Sequence, residues 1–231
     1  MRLRLLAALA APALVLAGCA TSVAGSASPA GPAQTGSQLA DAAADALEQA
    51  GAVHVSGTFS SDDGGVTGDL QLQGSDVDGT LTVGEYQSQV QIIVSGGTIY
   101  LNAPADFWTE TGAPEDVAGQ IADIWIKVPA DADADLDLGD LSLSGLADSL
   151  RKPDKGKVED RVTKDELDGD PVYVVTTTRG DRLLVAAKGT PYPLQLTDGS
   201  DEDAVTSFTD FGTEQTIVAP PDALDVTTLG G

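Results

Sequence analysis

The sequence predicts an α+β fold: a curved antiparallel β-sheet, or half-barrel, of about ten strands, with helices covering its concave face. Apolar and polar residues alternate over many short stretches between residues 53 and 211. Gly/Asp/Ser clusters separate those stretches, as tight hairpins require. Helical spacing is confined to a few segments, too few to build the core alone.

In chain order, the first element is a leader. Arg2 and Arg4 form a basic start, and Leu5 to Leu16 are apolar apart from Pro12. Such a run reads as a secretory signal over 1–18 and is too short to span a bilayer. It ends in Leu16-Ala17-Gly18-Cys19, which matches the bacterial lipobox over 16–19. Cys19 is therefore the expected site of diacylglyceryl attachment, with palmitate-type chains. It is the single cysteine of the chain, so it has no disulfide partner. Two or three chains anchor a protein stably. The expected location is the outer leaflet of the cytoplasmic membrane, with the domain in the periplasmic space. Loss of the leader leaves ten basic residues against 36 acidic ones, a formal charge of −26. That field repels nucleic acid, and no nucleic-acid partner is expected. A monomer is expected.

Residues 19–36 read as a flexible tether rich in Gly, Ser, Pro and Ala, with an r.m.s. reach of roughly 23 Å. A single domain is expected over 37–231. Ser37 is placed to cap a helix to Ala50, with Leu39, Ala43, Ala46, Leu47 and Ala50 on one face and Gly51 as its stop. Strands are expected over 53–59, 66–73, 80–83, 89–94 and 98–101, then at 125–128. Helices are expected over 114–124 and 140–150. Further strands follow at 157–167, 171–178, 181–187, 193–197 and 205–211. Asp168-Gly169-Asp170 and Arg179-Gly180-Asp181 supply two of the turns.

Catalytic and metal-binding patterns are sparse. His54 is the one histidine, and it falls on the polar phase of a strand, where a surface or pairing role is expected. Asp131, Asp133 and Asp135 have the spacing that opens a calcium loop. Leu136 stands where the loop needs Gly, and Ser142 where it needs the bidentate Glu. No metal, cofactor or enzymatic activity is expected. Arg151, Lys152, Lys155, Lys157, Arg161 and Lys164 form a basic cluster in an acidic chain. A docking patch, a headgroup site and an ordinary solvated helix end and strand are all open readings of it.

Four stretches have a shared likeness. Ala46 to Phe59 reads A-L-E-Q-A-G-A-V-H-V-S-G-T-F, and Gly97 to Trp108 reads G-T-I-Y-L-N-A-P-A-D-F-W. Trp125 to Pro129 is W-I-K-V-P, and Gly189 to Leu196 is G-T-P-Y-P-L-Q-L. Behind a lipobox, these resemble the actinobacterial LppX/LprG-type lipoproteins, whose fold is like that of the LolA/LolB carriers. The resemblance implies a hydrophobic cavity under the sheet. It also implies binding of an acylated lipid or lipoglycan, assistance in its transfer through the cell envelope, and a membrane transporter as a further partner. The expected cavity walls are the apolar phases of the strands: Val53, Val55, Leu70, Leu72, Leu81, Val83, Val90, Ile92, Ile99, Leu101, Val174, Leu183, Val185, Leu194 and Leu196. Shielding a 16-carbon chain from water is worth about 12 kcal/mol, at about 0.8 per methylene. The alternative is an envelope interaction or sensing module with a filled core and no lipid.

Overall fold

The computed structural model describes residues 34–59, 65–83, 88–128, 141–153 and 156–225. The leader, Cys19, most of the tether, Lys155 and the Asp131–Asp135 acidic stretch lie outside the described residues.

The first described element is α1, Gly36–Ala50. Its cap is Thr35, two residues before the expected Ser37, because Thr35 and Gln38 satisfy each other. The Gln38 N–H donates to Thr35 Oγ1 at 3.3 Å, and the Thr35 N–H donates to Gln38 Oε1 at 3.0 Å. This reciprocal capping box closes two otherwise open amides. The helix ends on Gly51, at φ 74, whose N–H donates to the Glu48 carbonyl. Leu39, Ala40, Ala43, Ala44, Ala46 and Leu47 form the buried face. Mostly small, they let the helix lie close to its neighbours, and a Cβ at Gly36 would overlap the Glu159 carbonyl.

Five strands follow as a meander: β1 (Ala52–Phe59), β2 (Val66–Gln73), β3 (Asp76–Val83), β4 (Ser88–Ser95) and β5 (Thr98–Asn102). β3 begins four residues before the expected Thr80. Gly74 (φ 58) and Ser75 alone make the turn, so Asp76 already pairs with Gln73. Gly96 and Gly97 stand at φ 59 and 77, the two positive values that a type I′ turn requires. The chain then forms α2 (Ala105–Glu110), α3 (Glu115–Ile121), β6 (Ile126–Val128) and α4 (Leu143–Arg151). α2 was not expected; its aromatic pair Phe107–Trp108 masks the helical pattern in so short a stretch. Ser142 caps α4 by accepting from the Gly145 N–H at 3.0 Å.

A second run completes the sheet: β7 (Val158–Leu167), β8 (Asp170–Thr177), β9 (Arg182–Ala186), β10 (Pro193–Thr197), β11 (Val205–Thr209) and β12 (Leu224–Asp225). The strand order is β12-β6-β5-β4-β3-β2-β1-β11-β10-β9-β8-β7. The sheet thus has twelve strands and does not close into a barrel. The β1–β11 ladder joins the two meanders at its centre. All pairs are antiparallel except β12 with β6, a parallel pair at one edge that an all-antiparallel expectation does not include. β7 forms the opposite edge, with exposed charged residues along most of its length.

Apolar residues from α1, α2, α4 and most strands make one large cluster, including Leu47, Val53, Ile92, Phe107, Ala147 and Val185. A smaller cluster, Val172, Val174 and Leu184 with Leu167 and Leu194 against it, uses the opposite phase of β8 and β9. α1 packs on α4 and on strands β1 and β7–β10.

Candidate functional site

A half-open cleft of about 340 Å³ lies between α1, the C-terminal end of α4 and strands β1 and β7–β11. Ala40, Leu150, Val158, Val175, Leu183 and Leu196 give it apolar surface. Thr177, Arg179, Asp181, Thr197 and Asp198 bring polar groups from the β8–β9 turn and the end of β10.

The fifteen expected wall residues divide between several places. Val53, Val55, Leu70, Leu72, Leu81, Val90, Ile92, Leu101, Leu183 and Val185 are buried in the large cluster, with Ile99 and Leu196 packed against it. Only Leu183 and Leu196 of these reach the cleft. Val174 and Leu194 belong to the smaller cluster on the other side. For Val174 the reason is phase: Tyr173 and Val175 pair with Val185 and Leu183 and share their face, so Val174 points away. For Leu194 the reason is a bulge. Pro193 pairs with Val185 and Gln195 with Leu184, leaving Leu194 as an extra residue that breaks the alternation. The side chain of Val83 lies outside the described residues. Val158, Val175 and Leu150 line the cleft without having been expected there. β7 has too few apolar residues to show an alternating phase, and Leu150 read only as helix packing.

α4 is fastened beside the cleft by Arg151. Its Nη2 lies 2.7 Å from both Asp45 Oδ1 and Glu48 Oε2 on α1, and its Nη1 3.2 Å from Asp148 Oδ1 and from Glu48 Oε1. The two-pronged contact to Glu48 matches the planar fork of the guanidinium. Hydrogen bonding to Arg151 holds the Glu48 carboxyl below its ordinary range, and the same bonds push the Arg151 guanidinium up. A lowered carboxylate stabilises the fold above its unfolded value of about pH 4.3, and this is lost as pH falls through the lower folded value. Arg151→Met is therefore expected to flatten the stability-versus-pH slope below about pH 4.3. Urea unfolding across acidic pH checks this, and an unchanged slope contradicts it. Lys164 Nζ lies 6.0 Å above the Tyr173 ring, and Lys157 is exposed with its backbone paired to Thr178.

His54 sits on the other phase of β1. Its Nδ1 is 3.1 Å from Thr209 Oγ1 and its Nε2 3.0 Å from Asp69 Oδ1. The chain Thr209–His54–Asp69 has the order of a catalytic triad. His54 faces Thr209 in register and Asp69 lies diagonally on β2, so the bonds are cross-strand pairs. The Asp69 side chain is 69% exposed, and none of the three residues lines the cleft. Among the described residues no group of His, Cys, Asp and Glu has the arrangement of a metal site, and no helix is long and apolar enough to cross a membrane.

No family model matches the chain, nor does any curated protein.

Proposed function

We propose that this is a surface-tethered lipoprotein, acylated at Cys19, whose folded domain takes up an acyl chain of a lipid or lipoglycan and assists its transfer through the cell envelope. The apolar cleft beside α1 and α4 carries this reading. Its volume is at the low end of ligand pockets, roughly 300–1,000 Å³. At roughly 30 Å³ for a group the size of water, it has room for about ten methylenes. Burying ten methylenes is worth about 8 kcal/mol before the cost of association. The cost of association offsets part of this, so one chain is held reversibly, as transfer requires. The helices α1 and α4 act as the cover over this part of the sheet. The likeness to the LppX/LprG-type lipoproteins supports the same reading, as does the absence of any role for acid–base chemistry in a transfer step.

One observation favours the second reading, a non-carrying envelope module. Val53, Ile92 and Val185 are each fully buried, so the region under the central strands is filled by side chains. A multi-chain lipid therefore needs a rearrangement around α4, whereas a single chain uses the cleft as it stands.

The test uses the full chain with Cys19→Ser, which removes the anchor, titrated with the uncharged 16-carbon alcohol hexadecanol. Saturable binding is expected. Leu196→Trp, which fills the cleft with an indole, is expected to weaken it at least tenfold. Absence of saturable uptake, or uptake indifferent to Leu196→Trp, favours the filled module.

A further inference from the structure

Among the described residues Arg179 is the one cation lining the cleft, and we infer that it receives the anionic headgroup, carboxylate or phosphate, of a single-chain lipid. This rests on the acyl-chain reading of the same cleft and names the chemistry of the ligand's polar end.

The cleft is divided along its length. Val158, Val175, Leu183 and Leu196 give a floor that matches an alkyl chain and has no group to satisfy a charge. The charged groups gather where β8 turns into β9 and where β10 ends, while Thr58, Ser149 and Thr206 add hydroxyls from β1, α4 and β11. An amphiphile laid along the cleft therefore places its tail on the floor and its head at the 177–181 turn.

That turn is built to hold Arg179 in place. Thr177 Oγ1 accepts from the Arg179 N–H at 3.3 Å and from the Asp181 N–H at 3.2 Å, and it donates to Asp181 Oδ2 at 2.7 Å. The Gly180 N–H closes the turn on the Thr177 carbonyl at 2.9 Å. Gly180 takes φ 96, a conformation that other residues rarely adopt. The turn also packs against the β10–β11 loop, since a Cβ on Gly199 would overlap the Gly180 and Arg179 backbones. On its other side the Arg179 stem lies beside Gly156, where an added Cβ would come within 3.2 Å of Arg179 Cγ.

The guanidinium has five N–H donors. Its side-chain contacts are long: 3.4 Å from Nη2 to Ser200 Oγ and 4.0 Å from Nη2 to Asp198 Oδ1. Arg151 makes four contacts of 3.2 Å or less to carboxylates and so has far less spare capacity. Two acids share the cleft with Arg179, and both already accept from neutral donors. Asp181 takes the Thr177 hydroxyl and the Gly199 N–H, the latter at 2.9 Å. Asp198 takes the Ser200 N–H at 2.6 Å and its hydroxyl. Charges farther off than roughly 8 Å are screened at physiological salt, so the local balance is set by Arg179, Asp181 and Asp198, and a headgroup gains through direct hydrogen bonds to the open guanidinium N–H groups rather than through a positive field.

The experiment titrates the full chain carrying Cys19→Ser with four probes: hexadecanol, palmitate, hexadecyl phosphate and inorganic phosphate. Palmitate and hexadecyl phosphate are expected to bind about tenfold tighter than hexadecanol, the increment of one charge-assisted pair at a partly exposed site. Arg179→Gln is expected to erase that difference, so that palmitate and hexadecanol bind alike in the variant, and Arg179→Lys to restore part of it. Equal binding of palmitate and hexadecanol overturns the headgroup role, as does a loss of both in Arg179→Gln. Inorganic phosphate binding as tightly as hexadecyl phosphate, and depending on Arg179, makes this a free-anion site and also overturns it. Failure of all the 16-carbon probes refutes the acyl-chain reading and this inference with it.

Discussion

Gly57→Val is expected to lower stability by about 3–5 kcal/mol, seen as a large drop in the urea midpoint. Two independent effects combine. Gly57 stands at φ 145, which disfavours any side chain. An added Cβ would also overlap the Val205 carbonyl and crowd Thr206 Cα on β11. The position matters as much as the clash. Gly57 pairs with Thr206 on one side and Gly68 on the other, in the ladder that joins the two meanders. Relief by moving β1 from β11 would part the sheet at its middle. Gly119→Ala is the matched control. Gly119 lies within α3, an added Cβ meets nothing within 4 Å, and its backbone is not at positive φ. A gain of up to about 1 kcal/mol is expected there from helix propensity. Equal effects at both positions would contradict the steric account.

Leu47→Ala is expected to cost about 2–5 kcal/mol, through lost transfer energy and the cavity left behind. Leu47 is fully buried on α1, within the cluster that also holds Val53, Leu143 and Ala147. Its neighbours on the helix face are largely alanines, which have no longer side chains to swing into the gap. The expected cost therefore lies toward the upper end of the range. Thermal or urea unfolding measures it. A loss below about 1 kcal/mol would mean that α4 settles into the space, and that the α1–α4 layer is more compliant than its packing suggests.

Much of the sheet was legible in the chain because hairpins are written locally. Asp168 and Gly169, at φ 54 and 88, form the two-residue loop that their identity demands, and the flanking alternation follows. Gly96 and Gly97 do the same. What escaped was non-local. The parallel pairing of Leu224–Asp225 with Ile126–Lys127 joins residues about a hundred positions apart and has no local signature. The bulge at Leu194 likewise depends on how β10 meets β9, so a strict alternation put Leu194 and Leu196 on one face. The cleft was harder still. Alternation tells which side chains turn inward, but not whether they touch each other or leave a space. The residues that line the cleft come from α1, α4 and six strands, and their convergence is a property of the assembled layers. Arg179 was read correctly as a turn residue. Its place at the cleft mouth depends on the neighbouring β10–β11 loop.

The two rims of the open sheet are unequal, and each is closed to visitors in its own manner. At one rim β12 offers two residues among those described, a short rail for another chain to grip. At the other, β7 is long, but a molecule approaching side-on meets Glu159, Asp160, Arg161, Lys164, Asp165 and Glu166 in water. Stacking two copies there would strip those charges of solvent. The described edges thus give a second copy little to pair with, which opposes edge-to-edge growth of the unsealed sheet.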